Sequence, residues 1–330
     1  MKTLVFGFSV TGDTPGYVEF WHRDHAASHP DMTLQKIAIG GLQPGMGRYL
    51  IPLMLERYAP DMAVFELVTP VYRLRPPTDW IRNDHTQTVN FIVGICAERN
   101  IRCGFLDLPQ ENIDPAIDWM PGIHAEILGR CGIPNVGIDL VPDTLRDNVH
   151  PNDTGRKIYA DALEDLIGRM LRSGTSGYGL AARTLYYDAF HFSDLDYDGG
   201  VIADFERNGF ETQVLQLEAR ESVRLKLPAP VKVVGALIGM GPRTGYMDLR
   251  MNGDGQIINC FDQHCYYQRM GGRLISAKIT DEVTVVQGKA IPETPLAKGV
   301  KSFEPRRGTI SHIFYETNWN DPIGMKRRTR

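Results

Sequence analysis

Nowhere in its 330 residues does this sequence carry an apolar run approaching the roughly 20 that a membrane-spanning helix requires. Cysteine is scarce and odd in number. Cys96, Cys103, Cys131, Cys260 and Cys265 have no framework spacing, which excludes a disulfide-stapled scaffold and favours reduced thiols. The net charge is only −4, too small and of the wrong sign to draw the chain to nucleic acid or an anionic membrane. The first residues hold a single Lys2 and run straight into the strand-like Thr3-Leu4-Val5-Phe6-Gly7, with no small-residue cleavage site behind it. No signal peptide is therefore expected, and with reduced thiols the compartment expected is the cytoplasm. Internal repeats and low-complexity segments are also missing. What remains is a globular chain long enough for one large domain or two ordinary ones.

The first half alternates strand and helix. Thr3–Phe8, Leu34–Ile39, Met62–Val68, Ile101–Leu106 and Val136–Val141 read as buried strands. Helical spacing fills Tyr17–Ala27, Gly47–Tyr58, Asp79–Asn100, Ala116–Arg130 and a last helix from about Thr154 to Leu171, with Asp153 as its N-cap. Such alternation predicts a parallel sheet covered on both faces, with ligands bound beyond the carboxyl ends of the strands. Ser9, Gly40-Gly41 and the 69–80 loop fall at those ends.

After Arg172 the composition changes. Ser173-Gly174-Thr175-Ser176-Gly177-Tyr178-Gly179 reads as a linker. Beyond it come short strands separated by turns such as Asn252-Gly253-Asp254-Gly255 and Met270-Gly271-Gly272. The strands expected are Ser222–Leu227, Val231–Ile238, Tyr246–Met251, Ile257–Cys260, Arg273–Ile279, Glu282–Gln287 and Ile310–Tyr315, a pattern of β-sandwich or jelly-roll type. The domains expected are 1–172, a linker at 173–185, and a β-domain at 186–330. The basic Lys326–Arg330 end reads as a solvated tail.

The chemistry concentrates in Asp147-Asn148-Val149-His150-Pro151-Asn152. A histidine three residues after an aspartate can take the carboxylate on one ring nitrogen and leave the other to deprotonate a serine hydroxyl. Asp139 and Asp143 are rival acids, but neither has the local reach of Asp147. Other groupings are weaker. His22 and His25, or His25 and His29, could share a helix face and bind metal, but read better as a solvated helix end. Glu66 and Asp107 end strands without the spacing a paired-carboxylate site demands.

Gly7-Phe8-Ser9-Val10-Thr11 after the first strand resembles the Gly-Asp-Ser-Leu block of the SGNH (GDSL) hydrolases. Gly40-Gly41 is similar to that family's second block, Pro60–Thr69 to its third, and Asp147-x-x-His150-Pro151-Asn152 to its fifth. The resemblance covers roughly residues 1–172. It implies a flavodoxin-like three-layer α/β/α domain acting on acyl esters, with Ser9 as nucleophile, His150 as base and Asp147 orienting it. The backbone N–H groups of Ser9 and Gly41 would receive the oxyanion. Two departures stand out. Phe8 replaces an aspartate outside the triad, and Val68-Thr69-Pro70-Val71 stands where the family has Gly-x-Asn-Asp. Pro70 thus removes a side-chain oxyanion donor, for which Thr69 Oγ or a side chain of the 72–83 loop could substitute.

Gly40, Tyr72, Trp80 and Asn83 are candidates for substrate binding, the two aromatics as platforms for a sugar ring. The function expected is a serine esterase that removes an acyl group, most plausibly O-acetyl, from a carbohydrate or polysaccharide unit. An acyltransferase on the same sugars, or a carbohydrate-binding protein with a decayed site, are the alternatives. No cofactor or metal is expected, and the only partner expected is the acylated substrate.

Overall fold

The computed structural model describes residues 1–69, 71–74, 76–114, 118–174 and 185–318. It divides into two compact units, Met1–Arg183 with Asn208–Phe210, and Thr184–Arg207 with Glu211–Arg330. Most of the expected linker and the basic tail lie outside the described residues.

In the first unit five strands, β1 (Lys2–Gly7), β2 (Thr33–Ala38), β3 (Met62–Phe65), β4 (Arg102–Asp107) and β5 (Asn135–Gly137), form one sheet in the order β2-β1-β3-β4-β5. Every pair is parallel, so the flavodoxin-like order is observed. Around the sheet lie α1 (Tyr17–Asp24), α2 (Pro44–Gly47), α3 (Ile51–Tyr58), α4 (Asp79–Glu98), α5 (Trp119–Cys131) and α6 (Asp153–Arg172).

The period of two along a strand sorts side chains between faces. Val5, Val64, Leu106 and Val136 share a core with Tyr17, Val18 and Trp21 of α1 and Tyr159, Leu163, Leu166, Ile167 and Met170 of α6. On the other parity Phe6, Phe65 and Phe105 form a ring row, with centroids 6.4 and 5.5 Å apart. The Phe105 ring lies 5.2 Å from that of His124 on α5. Each such buried apolar side chain contributes on the order of 1.5–3 kcal/mol.

Several boundaries differ from expectation. Asn152, not Asp153, caps α6, its Oδ1 accepting the Gly155 N–H at 3.1 Å. The helix expected over Gly47–Tyr58 starts only at Ile51, as α3 with Pro52 in its first turn, and α2 precedes it over Pro44–Gly47. The three histidines of the first helix region do not converge. His25 bonds Asp161 at 2.8 Å and His29 bonds Glu164 at 2.7 Å, both on α6, while His22 bonds the Leu34 carbonyl at 3.0 Å.

The second unit is antiparallel: β6 (Leu185–His191), β7 (Asp196–Asp198), β8 (Val201–Arg207), β9 (Phe210–Glu218), β10 (Ser222–Met240), β11 (Tyr246–Met251), β12 (Asp254–Asn259), β13 (Arg269–Gln287) and β14 (Arg307–Asn318). They pair in the order β12-β11-β13-β10-β14-β9-β8, with β6 on β14 and β7 on β10. β10 and β13 each span 19 residues where the sequence predicts two short strands. The prolines at 228 and 230 do not end β10; they sit in a register shift between Lys226 and Val231. Buried residues from β9 to β14 make one core that includes Leu225, Val233, Leu249, Val285 and Tyr315. This fits a β-sandwich. No described helix is long and apolar enough to cross a membrane.

Candidate active site

The carboxyl ends of the five strands gather the candidate residues. β1 ends at Gly7, and the chain turns at once: the Gly12 N–H donates to the Phe8 carbonyl at 2.9 Å. Ser9 sits inside this turn. β2 ends at Ala38 and delivers Gly40 against it, so that a Cβ built on Gly40 would stand 3.7 Å from Ser9 Cβ. Gly41 follows with φ of 80°, a left-handed conformation that glycine adopts without a Cβ clash. Among the described residues, neither the Ser9 N–H nor the Gly41 N–H donates to a protein acceptor.

After β5 the chain makes a closed loop ahead of α6. An isolated antiparallel bridge joins Leu145 to Pro151. The Arg146 N–H donates to the His150 carbonyl and the Asn152 N–H to the Thr144 carbonyl, both at 2.9 Å, and Asn152 Nδ2 donates to the Asp143 carbonyl at 2.7 Å. A Cβ on Gly155 would fall 2.2 Å from the Thr144 carbonyl oxygen, so only glycine lets the helix start so close to the loop.

The carboxylate and the imidazole meet within this loop. His150 Nδ1 stands 3.0 Å from both oxygens of Asp147. Oδ1 also accepts the backbone N–H groups of Val149 at 3.0 Å and His150 at 2.8 Å. Burial pushes the Asp147 carboxyl up, but these two N–H groups and the imidazole outweigh it and hold it below its ordinary value. An ionised carboxylate only accepts, so Nδ1 carries the hydrogen and the lone pair of the neutral ring lies on Nε2.

Two ties bring the loop toward the strand ends. Arg146 Nη2 donates to Asp13 Oδ1 at 2.7 Å, fixing it to the segment that follows Ser9, and Arg156 approaches the other Asp13 oxygen at 3.7 Å. The Glu111 N–H donates to the Asn148 carbonyl at 2.8 Å, fixing it to the loop after β4. Among the described residues no hydrogen bond within 3.5 Å joins Ser9 to His150.

Thr69 is placed differently from expectation. Its N–H donates to Glu66 Oε1 at 3.3 Å and its hydroxyl to the same oxygen at 2.8 Å. Both donors are therefore occupied, and neither is free for an oxyanion. Pro70 and the Tyr72 side chain lie outside the described residues. Trp80 and Asn83 are exposed on the first turns of α4, one helical turn apart and hence on one face. Trp80 is 68% exposed, unusual for a large apolar ring.

Sequence reasoning missed a second, wholly internal array. Asp107 at the end of β4 bonds His124 Nδ1 at 2.6 Å, and His124 Nε2 stands 3.0 Å from His85 Nε2. Both imidazoles are fully buried, and their rings stack with centroids 5.0 Å apart. Burial first, and then the neighbouring His124, hold His85 well below the ordinary imidazole value. No side chain here reaches solvent, so the array serves packing rather than substrate.

A parallel sheet in this order, with a serine turn, a glycine pair and an Asp–His loop at its carboxyl edge, defines a flavodoxin-like α/β/α domain, and an antiparallel β-domain follows it. A two-domain esterase (CEX) active on acetylated mannans shares this architecture, at a TM-score of 0.66 and 13% identity over 96% of this chain and 91% of that one. Its structure co-crystallized with mannopentaose gives a TM-score of 0.67 and 12% identity over 97% and 92%. An acetyl xylan esterase covers 51% of this chain and all 100% of its own at 17% identity and a TM-score of 0.43. No family model matches the chain, and a search of curated proteins returns no match.

Proposed function

We propose that this protein is a serine esterase that removes O-acetyl groups from a carbohydrate, with Ser9, His150 and Asp147 as its catalytic residues. The observation that carries the reading is the Asp147–His150 pair, closed into its own loop and tied through Arg146 and Asp13 to the segment following Ser9. The full-length likeness in fold to an esterase active on acetylated mannans supports the choice of substrate class.

In this mechanism Ser9 Oγ attacks the acetyl carbonyl while His150 Nε2 takes its proton. The resulting oxyanion is met by the Ser9 and Gly41 N–H groups. His150 then returns the proton to the departing sugar oxygen, and water attacks the acyl-serine by the same route in reverse. With Thr69 turned away, the hole rests on two backbone donors. Trp80 and Asn83 would meet a sugar ring from α4, and Gly40 would keep the floor beside Ser9 low. All five cysteines are buried, and the cytoplasm is the compartment proposed for the chain.

The test is a fluorophosphonate label together with acetate release from acetylated manno-oligosaccharides, run beside acetyl, butyryl and octanoyl nitrophenyl esters. The reading requires an adduct on Ser9, its loss in Ser9→Ala, and preference for acetyl. An adduct on another serine would sink the assignment. Acetyl transfer to an added sugar in excess of hydrolysis would make the protein an acyltransferase. A folded chain inert to every ester would be a binding protein.

A further inference from the structure

Glu66 is the residue that the proposed chemistry leaves unused. It follows the last residue of β3, and its own N–H donates to the Phe6 carbonyl at 2.9 Å, extending the β1–β3 ladder by one step. Its side chain turns inward and has no solvent exposure. Oε2 accepts the Phe8 N–H at 3.3 Å and the Thr11 hydroxyl at 3.2 Å. Oε1 accepts the Thr69 N–H and hydroxyl. Thr11 Oγ1 lies 2.9 Å from the Tyr17 hydroxyl, which completes a donor chain from phenol to threonine to carboxylate.

We infer that Glu66 is a positioning residue for the Ser9 turn: its carboxylate fixes the peptide planes that aim the Ser9 N–H and hydroxyl. The inference rests on the esterase reading. The Gly7–Phe8 peptide unit is held at both ends, its carbonyl by the Ile39 N–H at 3.2 Å and its N–H by Glu66. In the next unit the Phe8 carbonyl is held by Gly12, and in a trans peptide the Ser9 N–H must point the opposite way. The direction of the proposed oxyanion donor is thus set from both sides of Phe8, by the Gly12 N–H on its carbonyl and, one peptide unit upstream, by a carboxylate that never meets substrate. Gly7 permits this, since a Cβ there would fall 2.0 Å from Thr11 Oγ1 and 3.0 Å from Glu66 Oε2.

The demand for a carboxylate is specific. The Phe8 and Thr69 N–H groups can only donate, and they address different oxygens of Glu66, so both oxygens must accept. Glutamine offers one acceptor and turns an NH₂ toward the other N–H. Burial raises the Glu66 carboxyl above its ordinary value, and hydrogen bonds from Thr69, Phe8 and Thr11 draw it back.

The experiment uses the full chain with nitrophenyl acetate and a fluorophosphonate. For Glu66→Gln, kcat should fall about 10–100-fold, less than the roughly 10²–10³ for outright loss of an oxyanion donor. KM should stay within about twofold, because the ground-state contacts of the substrate are untouched. Phosphonylation of Ser9 should slow in proportion and still reach the wild-type end point, whereas a merely structural defect lowers the end point. Thr11→Val and Thr69→Val each remove one donor and leave the carboxylate, so about a 3–10-fold fall in kcat is expected of each. Should Glu66→Gln fail to fold, these two decide. An active wild type with kcat unchanged in the folded variants overturns the role of Glu66 alone. An inert, unlabelled wild type overturns the esterase reading on which it stands.

Discussion

Acid should destabilise the first domain through His85, by an amount that can be worked out. The imidazole is buried against Trp119, at 5.5 Å between ring centroids, and against His124, and its pKa in the folded chain is well below the ordinary value. An unfolded chain protonates this histidine near pH ~6.5, while the folded chain does not. The stability at stake is therefore fully present above that pH and is lost as pH falls below it toward the depressed folded value. Each unit inside that window costs up to about 1.4 kcal/mol, so lowering the pH from 7.5 to 5.5 removes roughly that much. For a domain of this size the midpoint of thermal unfolding should drop by about 3–6 °C from this group. Other groups titrate too, so the comparison is with His85→Gln, which keeps a polar atom at the reach of Nε2 without the titration. Tryptophan fluorescence during thermal unfolding, across pH 5–8, reports the domain through buried Trp21 and Trp119. Wild type should show the steeper pH dependence by that margin. Equal slopes would refute the reasoning and place the acid sensitivity elsewhere.

Asp147→Asn should keep the loop, since an amide oxygen can still accept the Val149 and His150 N–H groups, but it should cut kcat, toward the ~10⁴-fold seen for the equivalent change in trypsin. Steady-state rates on nitrophenyl acetate check this, and wild-type activity would remove Asp147 from the triad. Gly41→Ala places a Cβ at φ of 80° and should cost about 1–2 kcal/mol by denaturant titration while lowering kcat. Asp13→Ala removes the carboxylate shared by Arg146 and Arg156; Arg146 is partly exposed, so the stability loss should stay within about 1 kcal/mol. The acylation rate should fall further than that loss suggests, measured by single-turnover labelling, because the tie between the Ser9 segment and the His150 loop is cut.

The parallel half of the fold was legible because apolar stretches of strand length, most clearly those of β1 and β3, alternate with segments of helical period. The β-domain was legible in kind but not in detail. Pro228 and Pro230 argued for a break, whereas β10 passes through them by shifting register, which local propensity does not encode. β6, β7, β8 and β9 all lie ahead of the first strand expected and were missed; β7 and β8 hold no buried residue, which leaves little apolar pattern to mark a face. Of the site, Asp147 and His150 were readable since their contact is local in sequence. Thr69 was misjudged because the partner that takes its hydroxyl is settled by the turn after β3 rather than by residue type. Glu66 and the His85–His124–Asp107 array left only a faint trace, a polar residue inside an apolar segment. That pattern is open to many readings until tertiary partners are known.

The loop from Thr144 to Asn152 has one further consequence. Its base is knotted by its own backbone and by Asn152, so the spacing between Asp147 and His150 depends on about nine consecutive residues and little else. It forms a cassette seated at the head of α6, closed by its own hydrogen bonds. A sheet strand elsewhere can be rewritten, lengthened or repacked without disturbing the carboxylate–imidazole pair. The requirement on the rest of the domain is reduced to a few attachment points, Asp13 and Glu111 among them.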